Sequence, residues 1–382
     1  MLLNEYRALG SALKFQIPAS IADLLKNESI TTTSPKIDCC TQTVNYAVFS
    51  KPAQNSLREA LYYAVELGNL DIAYELSCFG VKWNVNLWAK CLTWAMEQKS
   101  GLGIKLFIDT FQINQLIEAP IFLLEEFCNT LFEAVEISLT ESFINEDIRG
   151  GLLFVISSIF KHFNSNGNES QSKTDQTLQN SKSPSGIVID SKYCNNEKYS
   201  DIQFIVEDRK IFAHRIVVSA HPKFEAALQN SGNTVRIDDV TYDVFKAIIE
   251  FVYGKQSECM QRVSDLSIQN QLKAIDLTTK FGLEELVKRI IDTISDQINT
   301  TSCVPVFVYA CTSHNSSLLE MVEPFMLNNL EPLASTNEQR EMLIELDAKY
   351  RLLKRLGDHL NRCFRAAYEK PQTLQQYCVQ KF

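Results

Sequence analysis

Two residue types could carry chemistry here: eleven cysteines and five histidines in a chain of 382 residues. A thiolate paired with an imidazole would make a nucleophile, and clusters of the two would hold a metal ion. The spacing supports neither. Cys39 and Cys40 are adjacent and Cys303 and Cys311 lie eight apart, whereas a zinc site needs Cys-x2-Cys pairs. His162, His214, His221, His314 and His359 are not spaced with one another for ligation. A cysteine-dependent hydrolase pairing a thiol with His214 or His314 is a remote alternative, since no single cysteine stands out as its nucleophile. Phosphate and dinucleotide sites are also missing from the pattern. No Gly-x4-Gly-Lys-Ser/Thr loop occurs, and Gly101-Leu-Gly103 lacks a third glycine and follows a helical pattern, not a strand. There is no Gly-x-Ser-x-Gly elbow and no His-Glu-x-x-His helix. The expectation is a non-enzyme with no catalytic, cofactor-binding or metal-ligating residues.

Charge narrows the partners. A net charge of -9 sets a field that repels phosphate backbones and anionic lipid, so neither nucleic acid nor membrane is expected as a partner. The apolar run Gly151–Phe160 is too short to span a bilayer and is followed at once by Lys161 and His162. The opening residues lack the basic start and apolar run of a secretory signal, which reads as a cytoplasmic or nuclear protein with free thiols and an unused sequon at Asn168.

Residues 1–55 read as one or two short helices followed by a Ser/Thr/Pro-rich loop. From 56 to 163 the period is helical: Leu57, Leu61, Ala64 and Val65 form one stripe, and Leu70, Ala73, Tyr74 and Ser77 another beyond Gly68-Asn69. Further helices are expected over Leu87–Met96, Ile104–Phe111, Ile121–Ser138 and Gly151–Phe163. Ala64, Gly68, Asn69, Ile72, Leu76, Gly80, Val81 and Asn84 resemble one ankyrin repeat, which implies a degenerate ankyrin-like stack; the residues after Val85 do not repeat the pattern clearly. Residues 164–189 carry too few apolar groups to offset their ordering entropy and read as a disordered linker.

Beyond the linker the period changes to two. Ile202, Phe204 and Val206 share one face of a strand, Glu207-Asp208-Arg209 is a polar turn, and Lys210–His214 is a second strand. Arg215–Ala220 opens a short helix, Pro222 can start the next, and Phe224 and Leu228 stand on one side of it. Thr234–Ile237 is a third strand. Thr241 can cap a helix with Val244, Phe245, Ile248, Ile249 and Val252 inside, ended by Gly254, and two amphipathic helices follow. The fold class is therefore mainly α with an α+β segment.

Ser200–Phe204, Phe212–Ser219 with Phe224, Val235–Val240, and Phe245 with Ile248–Gly254 resemble the successive signature blocks of the BTB/POZ family, in order, over residues 190–295. The resemblance implies a helical cluster beside a small sheet, commonly a homodimer presenting surfaces to other proteins. Asp201, Phe204, His214, Arg215, Phe224, Phe245 and Tyr253 fall on its signature and interaction positions, with Asp201 and Arg215 at the charged positions many members place near the dimer interface. Residues 296–382 read as a helical extension, of which Val304–Leu333 resembles the start of a BACK-type segment, and the whole chain is most similar to the ankyrin-plus-BTB adaptor group. That group implies protein partners, a homodimer and a cullin scaffold of a ubiquitin ligase. The segment from Leu228 to Thr234 is short and lacks the apolar-x-Glu of cullin-binding members, so a non-ligase structural, signalling or transcriptional scaffold stands as the alternative. Over 337–367 the stripe Leu343, Leu346, Tyr350, Leu353, Leu356 and Leu360 predicts one long helix, either a partner-binding or membrane-surface helix or a terminal helix docked on the helical domain that precedes it.

Overall fold

The computed structural model describes residues 51–78, 80–168, 190–228 and 232–369. The expected N-terminal helices, the Cys39-Cys40 pair, the Ser/Pro-rich segment 169–189 and residues 370–382 lie outside the described residues. The chain divides into two compact units. Residues 51–168 join 333–369 in the first, and residues 190–332 form the second.

The first unit is a stack of helix pairs. Its helices are α1 (Lys51–Glu66), α2 (Leu70–Cys78), α3 (Val85–Glu97), α4 (Gly101–Thr110), the single turn α5 (Asn114–Ile117), α6 (Ile121–Thr140) and α7 (Glu146–Asn168). Each of α1, α3 and α6 packs on the next, and α2, α4 and α7 form a second row behind them. The corner of the first pair needs its glycine. Gly68 has φ +67°, and a Cβ there would lie 1.8 Å from the Trp94 indole Nε1. Asn69 then caps α2, its Oδ1 accepting from Ile72 N at 3.3 Å. The second corner repeats the device with other residues: Lys99 takes φ 51° and the Ser100 hydroxyl caps α4 at Gly103 N. The helix-pair pattern thus continues past Val85, hidden in sequence because Lys-Ser replaces Gly-Asn. Trp88 is fully buried between Phe107, Phe111 and Phe127 and donates from Nε1 to Thr110 Oγ1 at 3.2 Å. Helix α7 runs on to Asn168, past the boundary expected at Phe163.

The described part of the second unit opens with two single 3-10 turns, Ser191–Tyr193 and Glu197–Tyr199, followed by β1 (Ile202–Val206), β2 (Arg209–Ala213), α8 (Arg215–Val218), α9 (Pro222–Leu228) and β3 (Thr234–Arg236). Strand order is β2-β1-β3, with β1 and β2 antiparallel from Ile202↔Ala213 to Val206↔Arg209. The β1–β3 pair is parallel, and α8 and α9 supply the crossover such a pair requires. The hairpin turn is two residues long, so Arg209 belongs to β2 and not to the turn. Glu207 and Asp208 both have positive φ, 50° and 59°, as hairpin loops of two residues favour. Four helices follow, α10 (Tyr242–Val252), α11 (Gln256–Asp265), α12 (Ile268–Phe281) and α13 (Glu284–Gln297), then α14 (Cys303–Thr312), α15 (Ser316–Asn328) and the short α16 (Leu330–Leu333). Glu207 starts α10: its carboxylate accepts from Tyr242 N at 2.9 Å, while the Thr241 side chain makes no capping bond. Gly282 ends α12 at φ 72°, as its position in the sequence implies.

The expected extension 296–382 is divided between the units. Residues up to 332 stay with the second, with α14 packing on α12 and α15 on α13. The remainder is two helices, not one: α17 (Asn337–Tyr350) and α18 (Leu352–Glu369), broken at Arg351, which takes φ 54°. The break turns α18 onto α6 and α7, so the leucine stripe closes the helix stack of the first unit. Leu356, Leu360 and Phe364 are fully buried there, and the Phe364 ring meets Phe163 edge-on at 4.8 Å. Each such side chain contributes about 1.5–3 kcal/mol of burial. A glycine lets the helices approach: a Cβ on Gly357 would sit 3.3 Å from the Phe132 ring. Polar ties flank the apolar seam. Arg340 donates to Glu146 Oε2 at 2.8 Å, Arg149 reaches the same carboxylate at 3.2 Å, and Arg365 pairs with Glu125 at 2.6 Å. The stack therefore has three helix pairs from before the second unit in sequence and a closing pair from after it, which gives its α6–α7 end the cover a solenoid terminus needs.

Candidate interaction surface of the second unit

Alternation in β1 sends Ile202, Phe204 and Val206 inward, and all three are buried. Phe204 is the centre of an aromatic cluster. Its ring lies 4.9 Å from Phe245 of α10 and 6.1 Å from Phe224 of α9, and Phe224 stacks on Phe281 of α12 at 3.9 Å. Four elements far apart in sequence thus share one core. The sequence marks Phe204, Phe224 and Phe245 but does not single out Phe281.

His214 and Tyr253 form the second group. The Tyr253 hydroxyl accepts from His214 N at 2.8 Å and lies 2.6 Å from His214 Nδ1, with Tyr193 edge-on to the imidazole at 6.3 Å. Burial pushes the Tyr253 phenol well above its ordinary value, so it stays neutral and tethers the end of β2 to the end of α10. Both residues are buried, and their partners give them a positioning task. Glu250 is also buried, and it accepts two bonds from Arg262, from Nε at 2.9 Å and Nη2 at 3.0 Å.

Asp201 and Arg215 are brought together, but not as an ion pair. Asp201 Oδ1 accepts from the Arg215 backbone N at 2.6 Å and so caps α8, while the Arg215 guanidinium donates to Gly232 O at 3.2 Å. Asp201 is exposed and Arg215 half-buried. Tyr199 lies two residues before Asp201 in the chain, and Ile216 follows Arg215 directly. These two are the large apolar side chains of the second unit that are most open to solvent among the described residues, at 57% and 49%. Sequence reasoning missed both. Ile216 sits in an Ile-Val-Val run that reads as core, and only its position in the first turn of a capped helix could have marked it as outward. Two exposed apolar groups beside fixed charges suit protein–protein contact more than chemistry on a small substrate.

Burial suppresses thiolate formation at five of the described cysteines. Burial pushes Cys91 and Cys259 up to about 12 and Cys194 and Cys303 up to about 11, and drives Cys128 higher still. A thiolate is therefore scarce at neutral pH in each of these. Among the described residues no group of three or more His, Cys, Asp or Glu side chains is placed to hold a metal ion. No helix among them is long and apolar enough to cross a membrane.

This small mixed sheet, packed through Phe204 on a helical cluster, is a BTB/POZ domain: the model of that family matches residues 191–297. Three relatives place the domain in longer proteins. An ankyrin repeat, bromo and BTB domain-containing protein of Dictyostelium discoideum is 24% identical over 240 residues, covering 57% of this chain and 29% of that protein. Kelch-like protein 7 of Rattus norvegicus is 23% identical over 155 residues, 39% of this chain and 25% of its own. BTB/POZ domain-containing protein 9 of Drosophila melanogaster is 22% identical over 152 residues, 38% and 20% respectively. The chain thus spans less than a third of the length of these relatives.

Proposed function

We propose that this protein is a non-enzymatic interaction adaptor that dimerises through its BTB/POZ domain and carries a partner on its helix-pair stack. The observation behind the dimer is the exposed Tyr199 and Ile216 beside the Asp201–Arg215 contact, in a domain whose other large apolar side chains are mostly inside. The division of labour follows the two units: residues 190–295 for self-association, the BACK-like α14 and α15 as an extension of that domain, and the degenerate ankyrin-like stack for the client. A cytoplasmic or nuclear setting suits buried, protonated thiols.

Within this class the leading mechanism is a substrate adaptor of a cullin-RING ubiquitin ligase. The α14–α15 pair supports it, since it packs on α12 and α13 and so lengthens the surface a scaffold would meet. A scaffold without a ligase link is the second reading, favoured by the absence of a glutamate between Leu228 and Thr234. Light-scattering mass of the full chain, alone and mixed with the N-terminal domain of the cullin that BTB adaptors use, separates the two. A dimer that forms a stable complex carries the ligase reading. A dimer that ignores the cullin moves the assignment to a scaffold, and a monomer in both samples overturns the dimerising adaptor.

A further inference from the structure

We draw no further inference here: the strongest candidate, the exposed stripe of Glu126, Glu133 and Glu136 along α6 of the helix stack, is a run of surface carboxylates to which no second observation assigns a ligand.

Discussion

Replacing Phe364 by alanine tests whether the C-terminal helices are part of the N-terminal stack. Its side chain is fully buried against Phe163, more than two hundred residues away in sequence. Deleting a buried phenyl ring costs about 3–5 kcal/mol in lost transfer energy and residual cavity, of which the edge-on ring contact is about 0.5–1.5 kcal/mol. Set against the 5–15 kcal/mol typical of a domain, that is a large fraction. The readout is built into the chain. All three tryptophans, Trp83, Trp88 and Trp94, lie in the first unit, and the second has none, so urea unfolding followed by tryptophan emission reports the stack selectively. With a slope of about 2 kcal/mol per molar urea, Phe364→Ala should lower the tryptophan midpoint by about 1.5–2.5 M. Phe364→Leu, which keeps most of the volume, should cost under about 1.5 kcal/mol. An unchanged tryptophan midpoint in Phe364→Ala would mean that α18 does not complete this core.

Other substitutions probe single devices. Gly68→Ala should destabilise more than Gly254→Ala, because both have positive φ but only Gly68 is covered by an indole, at Trp94; Gly254→Ala should cost about 1–2 kcal/mol from backbone strain alone, and calorimetric midpoints rank the two. Arg262→Met strands the buried Glu250 carboxylate, and because Arg262 is itself partly exposed the loss should be about 2 kcal/mol, below the range for a fully buried pair; a thermal midpoint equal to wild type would refute the role given to the pair. The hydrogen bond from Arg340 holds the Glu146 carboxyl below its ordinary pKa, so its stabilising effect is complete above the ordinary carboxylate range and is lost as pH falls through the depressed value. Urea midpoints measured from pH 7 down to pH 3 should therefore fall more steeply in wild type than in Glu146→Gln below about pH 4.5, and parallel curves would contradict the linkage.

Much of the second unit was legible because its signals are local. Alternation in β1 declared the inward face, and Gly254 declared a helix end, through constraints that act within a few residues. Phe204, Phe224 and Phe245 were found for the same reason: each is the large apolar residue on the buried face of its own element. The first unit was less legible. Its second corner uses Lys99 in a left-handed conformation where glycine would have announced the turn. The leucine stripe of 343–360 was visible, but a stripe names no partner, and nothing short-range says that it docks on α6 and α7 across the whole second unit. The break at Arg351 was hidden likewise, because the stripe keeps its helical phase across a non-glycine residue with positive φ. Tyr199 and Ile216 escaped notice since apolar residues at an interface and in a core look alike in sequence.

Sedimentation or light-scattering mass of the full chain, beside an Ile216→Asp variant, tests the central claim most directly. The account predicts wild type at twice the 43.4 kDa chain mass and the variant shifted toward a single chain with unchanged helicity, because a charge is placed on an exposed apolar side chain outside the aromatic core. Wild type at a single chain mass at every soluble concentration, or a variant that dimerises as wild type does, would contradict it.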